Sequence, residues 1–347
     1  MDFNDTPNYR GHTEIGLSAW LIGFSTLFYG LRLVVRVSMT KSPGLDDGIA
    51  GIAYLLLLTH SIIDIHSVSF GSGAHMDTIP EDLASKFFVS LGIETLIYFW
   101  AVAMVRFAIL AFLPRLTQDK SIIWISWTVA VVIIAQTVTA FVYRLTECTP
   151  AIDVFKPPKT PGLQCVGVAA NNMMLVGHGV AGIVIDAALL LLPIWVIWSK
   201  MMWSRKTLQI IMILSVGMFA VVTGIIRVVL MRTMDFSNDI TYKMPSLGIW
   251  TNLEGHVGLW CGCFPALQPL LRIMPGKIRR STTNSNGNYT TFKQGTQSRL
   301  SRVNEGYHRT GSSAGDVDND SQRELFLLEM LKTDATKRDR GRDVSAA

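Results

Sequence analysis

The stretch IWTNLEGHVGLWCGCFPALQPLL, residues 249–271, is apolar and long enough to cross a membrane, yet it contains Glu254 and His256. Crossing about 30 Å of hydrocarbon takes ~20 mostly apolar residues. Ionisable groups at that depth are costly unless they face the interior of a helix bundle or water. Glu254 is therefore predicted to point inward. The stretch contains no lysine, so we predict neither a retinal Schiff base nor any other cofactor.

The whole chain is too apolar for a soluble protein of its length. Of its 347 residues, 49% are apolar and 16% are charged, and the mean hydropathy is +0.34. The net charge of +5 does not indicate a nucleic-acid partner, because the basic residues lie at the ends of apolar runs or near the C-terminus. We predict an all-α, multi-pass protein whose main partner is the lipid bilayer of the plasma membrane or an endomembrane.

Apolar runs of helical length recur along the chain and predict seven transmembrane helices. They cover residues 15–37, 49–68, 83–113, 122–143, 168–198, 208–231 and 249–271. Lysine and arginine are more frequent in the links on one side of the predicted membrane, which places the N-terminus outside and the C-terminus in the cytoplasm. The predicted domains are an extracellular segment 1–12, a seven-helix membrane domain 13–274 and a cytoplasmic tail 275–347.

The predicted tail is rich in Ser, Thr, Asn, Gly and charged residues, a composition typical of disorder. Residues 321–333 carry a capping-box spacing before an apolar cluster and predict a short amphipathic helix. Such a helix would lie on the inner leaflet or bind a cytoplasmic partner; the alternative is a transient turn. At the other end of the chain, Asn4 begins a sequon for extracellular glycosylation.

The two cysteines Cys148 and Cys165 fall in one predicted outward link, where the environment is oxidising. A disulfide between them is the preferred interpretation, and two free thiols are the alternative. His60 and Asp64 are one helical turn apart. Because two candidate ligands are too few for a metal, we predict no metal site and expect a hydrogen-bonded pair instead.

A second group of charged residues lies on both sides of the link between the first and second predicted helices. Asp46 and Asp47 follow a Pro-Gly pair and are predicted to cap the second helix; a cation site is the alternative. Arg32 and Arg36 end the first apolar run and are predicted to reach the lipid headgroups.

Ionisable residues within the predicted helices gather towards the outer half of the bundle. They are His60, Asp64, Glu94, His178, Asp186, Arg227 and Glu254, with Glu94 and Asp186 nearer the middle. This distribution predicts a polar cavity, open to the outside, that binds a small or lipophilic ligand. The alternative is that these residues form pairs that only hold the helices together.

The order of these features resembles the fungal rhodopsin-domain membrane proteins of the satratoxin-cluster type. The resemblance rests on Arg36 with Asp46 and Asp47, Gly71-Ser72-Gly73-Ala74-His75, Cys148 with Pro150 and Cys165, Asp186 with Leu192-Pro193 and Trp198, Gly217 with Arg227, and Trp250 with Glu254, Pro265 and residues 267–271. It extends from the first helix to Leu271. The chain departs from the family at Arg106, where a lysine is usual, and lacks a cysteine-rich N-terminal domain.

This resemblance implies a seven-helix, receptor-like protein, although the Asp-Arg-Tyr and Asn-Pro-x-x-Tyr motifs of G-protein-coupled receptors are absent from the sequence. Two other functions stay open. Family members encoded near secondary-metabolite genes suggest an intramembrane enzyme, for example a terpenoid cyclase, or an accessory pathway protein, with Glu94, Asp186 or Glu254 as general acid. A transporter would use the same carboxylates as a proton relay.

Overall fold

Long α-helices make up the described part of the chain. The structure is a computed structural model that describes residues 9–41, 44–112, 119–157, 160–200, 207–234, 236 and 239–267. Within these ranges the helices are α1 (Gly11–Val34, continued by the π-helical turn Val35–Thr40), α2 (Leu45–Val68), α3 (Glu81–Leu110), α4 (Lys120–Thr146), α5 (Val168–Lys200), α6 (Thr207–Thr233) and α7 (Ile240–Cys263). Short 3-10 turns cover Met76–Thr78, Ala151–Phe155 and Phe264–Leu267. Asn4, the predicted tail and its amphipathic helix lie outside the described residues.

Among the described helices, α1 to α6 are long and apolar enough to cross a membrane. They confirm the all-helical prediction and six of the predicted spans. The seventh, α7, has the length but not the hydropathy, because its interior contains groups such as Asn252, Glu254 and His256. Its polar residues are buried in the bundle instead of facing outward.

Helix α3 is the centre of the bundle. It packs against α2, α4, α5 and α7, and 56% of its apolar window is buried, compared with 22% for α4. Leu57 of α2, Val105 of α3 and Leu259 of α7 belong to one buried apolar cluster. This core holds α3 so that Glu94 and Arg106 face the interior.

Helix α1 shows the reversed polarity expected of a helix in lipid. Glu14, Ser18 and Ser25 are buried, whereas Leu27 is 62% exposed and Trp20 is 49% exposed. The buried polar residues recur at intervals of four and seven, so they share one helix face. That face turns towards α2 and α7, and the apolar face is left for the bilayer.

Helix α7 begins at Ile240, earlier than the predicted start at residue 249. Pro245 inside it lacks an amide hydrogen and so leaves the carbonyl of Thr241 without its usual helical donor. The amide of Gly73 donates to that carbonyl at 2.9 Å. Gly73 has a positive φ of 88°, and a Cβ there would lie 2.6 Å from the Gly11 amide nitrogen, so this link requires glycine.

The predicted disulfide between Cys148 and Cys165 is confirmed. It closes the link between α4 and α5, where Thr149 N donates to Gln164 O at 2.9 Å and Val166 N donates to Glu147 O at 2.8 Å. The bridge and these backbone hydrogen bonds define the base of the link.

The prediction that Arg32 reaches the headgroups is wrong. Arg32 is 1% exposed; its Nη2 lies 2.8 Å from Asp46 Oδ2 and its Nε lies 2.9 Å from Asp47 Oδ1. Its Nη1 also donates to the carbonyl of Gly262 in α7 at 2.6 Å. Asp47 accepts from the Gly44 amide at 3.1 Å, as a helix cap does, but both aspartates also bind the arginines of α1. A buried charge is retained here because it is paired.

Candidate functional site

A cavity of about 90 Å³ lies between α1, α2, α3, α5, α6 and α7. Its polar lining includes Glu14 of α1, His60 and Asp64 of α2, Glu94 of α3 and Arg227 of α6. We call it the acid cavity, because it has three carboxyl groups. Its remaining wall is largely apolar and contains Leu91, Met231, Met244 and Leu247.

A chain of buried hydrogen bonds fixes Asp64 at the floor of the acid cavity. Ser18 Oγ and Asn252 Nδ2 both donate to Asp64 Oδ2, at 2.8 and 2.9 Å. Because the amide nitrogen of Asn252 is used in this way, its Oδ1 accepts from Ser61 at 3.1 Å and from the His60 ring at 2.9 Å. The predicted pair of His60 and Asp64 is therefore bridged by Asn252.

These contacts also determine the tautomer of His60. An amide oxygen can only accept, so His60 Nδ1 carries the hydrogen. In the neutral ring, Nε2 is then an acceptor, and it has no hydrogen-bond partner within the described parts of the chain. His60 is 5% exposed and lines the cavity, which leaves one buried acceptor available to a ligand.

The hydrogen-bond chain continues away from the cavity through His256. Its Nε2 lies 2.9 Å from Ser61 Oγ and its Nδ1 lies 2.6 Å from Ser25 Oγ. Ser25 in turn accepts from the indole of Trp260 at 2.8 Å. Both nitrogens of His256 are thus occupied, so this histidine is a structural link between α1, α2 and α7.

Glu94 is the least satisfied carboxyl group of the cavity. Its Oε1 accepts from Ser67 Oγ at 3.3 Å, and its Oε2 has no partner among the residues described. The carboxyl group is nevertheless buried, with 9% of the residue exposed. Glu94 lines the cavity, and a ligand with hydrogen-bond donors would supply the partner that this oxygen lacks.

Next to the acid cavity is a second polar group, which we call the paired cluster. Arg106 of α3 donates to both oxygens of Asp186 in α5, at 2.8 and 2.9 Å. Arg227 Nε lies 2.7 Å from Glu254 Oε2, and Arg106 Nη2 lies 3.9 Å from Glu254 Oε1. Tyr98 donates to Glu254 at 3.3 Å. Two cations and two carboxylates make this cluster neutral.

The structure divides the predicted site residues between these two groups. His60, Asp64 and Glu94 line the acid cavity. Asp186 and Glu254 belong to the paired cluster, and Arg227 belongs to both, because it lines the cavity and pairs with Glu254. The His178 ring packs 4.9 Å from the Phe99 ring and 6.1 Å from the Tyr98 ring, measured between centroids, and forms no hydrogen bond or ion pair with Asp186 or Glu254.

The depth of Glu254 in the membrane stays a prediction. Within α7, which begins at Ile240 and ends at Cys263, Glu254 lies near the middle of the helix.

Sequence reasoning missed Glu14, which lines the cavity, and Ser18 and Asn252, which donate hydrogen bonds to Asp64. Glu14 is near the start of α1, where a carboxylate is ordinary at a helix N-terminus. The available signal was the spacing of Glu14, Ser18 and Ser25 on one face of an apolar helix. Asn252 was missed because it is uncharged, whereas the nearby Glu254 is charged.

A polar contact outside the spans joins the link between α2 and α3 to the residue that precedes α7. His75 Nδ1 lies 2.5 Å from Asp239 Oδ2, and the Met76 amide donates to Asp239 Oδ1 at 2.8 Å. Partial burial would raise the pKa of Asp239, but the Met76 amide, His75 and Lys243 outweigh it, so the pKa lies below its usual value. We call this contact the end clasp.

In the described part of the chain, no group of three or more His, Cys, Asp or Glu residues is arranged to hold a metal ion. The acid cavity therefore brings acceptors together without the ligand set of a metal site. Its chemistry is that of carboxylate and imidazole acceptors at one end of an apolar pocket.

Comparison with known proteins gives a family match over most of the chain. Residues 31–273 match the model of the fungal rhodopsin domain. A Gibberella zeae protein named "Fugralins biosynthesis cluster protein 2" is 28% identical over 183 residues, which cover 50% of this chain and 44% of the relative. An Emericella nidulans protein named "SAT4 family membrane protein" is 24% identical over 270 residues, which cover 73% of this chain and 62% of the relative. No solved structure matches.

Proposed function

Since the chain belongs to the fungal rhodopsin domain family and is a multi-pass integral membrane protein, we propose that it is a receptor-like protein that binds a small ligand in the acid cavity. The observation that carries this proposal is the set of buried acceptors without donors. Glu94 Oε2 and His60 Nε2 both belong to residues that line one cavity.

The size of the cavity favours a small ligand over a bulky lipophilic one. Sites for drug-sized molecules are typically about 300–1,000 Å³, whereas this cavity has about 90 Å³. A ligand of a few non-hydrogen atoms fits without rearrangement of the helices.

The proposal includes a membrane crossing by α7 and an external N-terminus. The charged groups of α7 support a crossing, because Glu254 is 5% exposed and lies within 2.7 Å of Arg227; a paired, buried charge does not meet lipid. Protease added to intact cells that carry a C-terminal tag on the protein tests the topology. Protection of the tag is expected, and cleavage from outside would contradict the orientation.

The second candidate function is an enzyme or accessory protein of a secondary-metabolite pathway. The name of the Gibberella zeae relative favours it. Asp186 and Glu254 each form an ion pair with an arginine, and neither lines the acid cavity, so both are poorly placed to act as general acid on a ligand there. Glu94, without an ion-pair partner among the described residues, is the better candidate acid. The cavity is small for a terpenoid.

Metabolite profiling of a deletion strain and of a strain carrying Glu94→Gln separates the two functions. The receptor proposal predicts an unchanged metabolite profile together with an altered response to an external cue. A lipophilic precursor that accumulates in both strains, and that membranes containing the protein convert, would favour the enzyme. A strain carrying Glu81→Gln is the matched control, because Glu81 is exposed at the start of the same helix.

A further inference from the structure

The acid cavity contains more carboxyl groups than the described basic residues pair with. Glu14, Asp64 and Glu94 line it together. Arg227 lines it as well, but Glu254 matches its charge at 2.7 Å. Among the described residues, no lysine or arginine forms an ion pair with the three cavity carboxylates. A positively charged ligand would pair with the carboxyl groups that the described residues leave unpaired.

The hydrogen-bonding groups of the cavity also favour a positively charged ligand. Asp64 Oδ1 and Glu14 Oε1 both face Gly248, at 3.4 and 3.9 Å from the position of a Cβ built there. Glu14 and Asp64 are also hydrogen-bonded to each other, so Glu94 Oε2 and His60 Nε2 are the acceptors that the described residues leave without a donor. The donors of Ser18, Ser67 and Asn252 are already used on other atoms. A donor-rich ligand is therefore complementary to it.

The shape of the cavity distinguishes an organic cation from a metal ion. Hard metal ions take six or more oxygen ligands, and the described residues offer no such set here. One wall of the cavity is instead apolar, with Leu91, Met231 and Met244. An organic cation is complementary to both parts of the cavity: its ammonium group binds the carboxyl groups, and a short alkyl chain packs on the apolar wall.

We propose that the ligand of the acid cavity is a small primary amine in its protonated form. This inference rests on the proposed ligand-binding function and adds the chemical class of the ligand. Alkylamines are protonated at neutral pH, since an unperturbed alkylammonium of the lysine type has a pKa of about 10.4. The three N–H groups of the ammonium donate to Glu94, to Asp64 or Glu14, and to His60 Nε2.

The test is isothermal titration calorimetry of the full-length protein in phosphatidylcholine nanodiscs with ethylammonium chloride. Binding by the wild type is expected. Glu94→Gln is expected to weaken it about ten-fold or more, the factor associated with loss of a charge-assisted hydrogen bond, and Glu81→Gln is expected to leave it unchanged. Ethanol, which matches the size without the charge, is expected not to bind.

A second variant, Gly248→Ala, keeps every charge and probes the space directly. Its methyl group would stand in van der Waals contact with Asp64 Oδ1, at 3.4 Å, so the helix is expected to fold while ethylammonium binding weakens. If Glu94→Gln fails to fold, this variant and the ethanol comparison still decide the question.

The alternative outcomes have distinct meanings. Sodium chloride that competes with ethylammonium at equal concentration would overturn the amine in favour of a metal cation. Glu94-dependent binding of ethanol but not of ethylammonium would overturn the amine and leave a ligand-binding cavity. Absence of binding by ethylammonium, ethanol and sodium alike, with the protein folded, would overturn both the amine and the proposed function.

Discussion

The acid cavity and the paired cluster both border α3, and they treat buried charge in opposite ways. In the paired cluster, Arg106 holds Asp186 through two hydrogen bonds at 2.8 and 2.9 Å, and Arg227 matches Glu254. In the acid cavity, Glu94 has a single hydrogen bond of 3.3 Å. A charged group held in an ion pair contributes to holding helices together, whereas a carboxyl group without an ion-pair partner is available for a ligand.

The largest expected effect comes from breaking the paired cluster. In Asp186→Leu, Arg106 loses both hydrogen bonds and cannot shed its charge, because arginine stays protonated. We expect the free energy of unfolding to fall by about 3–5 kcal/mol, measured as thermal or denaturant unfolding in detergent. The double variant Arg106→Met with Asp186→Leu is expected to recover most of the loss. A stable single variant would contradict the structural role of the cluster.

A smaller effect is expected from crowding the same cluster. A Cβ at Gly182 of α5 would lie 2.7 Å from Arg106 Nη2, so Gly182→Ala must displace the guanidinium from Asp186. We expect a loss of about 1–3 kcal/mol in the free energy of unfolding. Gly177→Ala on the same helix is the matched control, because its Cβ would meet nothing within 4 Å. Equal behaviour of the two variants would show that Arg106 is free to move.

The acid cavity is expected to tolerate loss of charge. Glu94→Gln keeps an acceptor for the Ser67 hydroxyl and removes a buried, unpaired carboxylate, so we expect the free energy of unfolding without ligand to change by less than about 1 kcal/mol. The same unfolding measurement compares it directly with Asp186→Leu. A loss as large as that of Asp186→Leu would place Glu94 among the structural charges and remove the contrast between the two regions.

Sequence alone predicted the helical bundle, the disulfide and the inward direction of Glu254, because hydropathy and the cost of charge in lipid act locally along the chain. It did not predict which charges pair. Arg106 and Asp186 are distant in sequence and meet only because α3 and α5 pack together. Glu14 was missed since an acid at a helix start is ordinary, and Arg32 was assigned to the headgroups since its partners Asp46 and Asp47 were interpreted as caps.

The smallest expected effect concerns the end clasp outside both regions. Because the folded-state pKa of Asp239 lies below its ordinary value, its contribution is present above the unfolded-state pKa of about 4 and is lost as pH falls through the lower, folded-state pKa. We expect at most about 1 kcal/mol, since the group is partly exposed and screened by solvent. The difference in unfolding free energy between the wild type and Asp239→Asn, followed from pH 7 to about pH 3, measures it. A difference that grows as pH falls would contradict the sign.

The central claim is that Glu94 binds a ligand, whereas Asp186 stabilises the fold. It is tested most directly by a paired measurement on two amide variants. Ethylammonium affinity by calorimetry and melting temperature are measured for Glu94→Gln and Asp186→Asn in the same nanodiscs. The expected result is lost affinity with a retained melting temperature for Glu94→Gln, and a lowered melting temperature with retained affinity in the folded fraction for Asp186→Asn. Unchanged affinity with a lowered melting temperature for Glu94→Gln would contradict the claim.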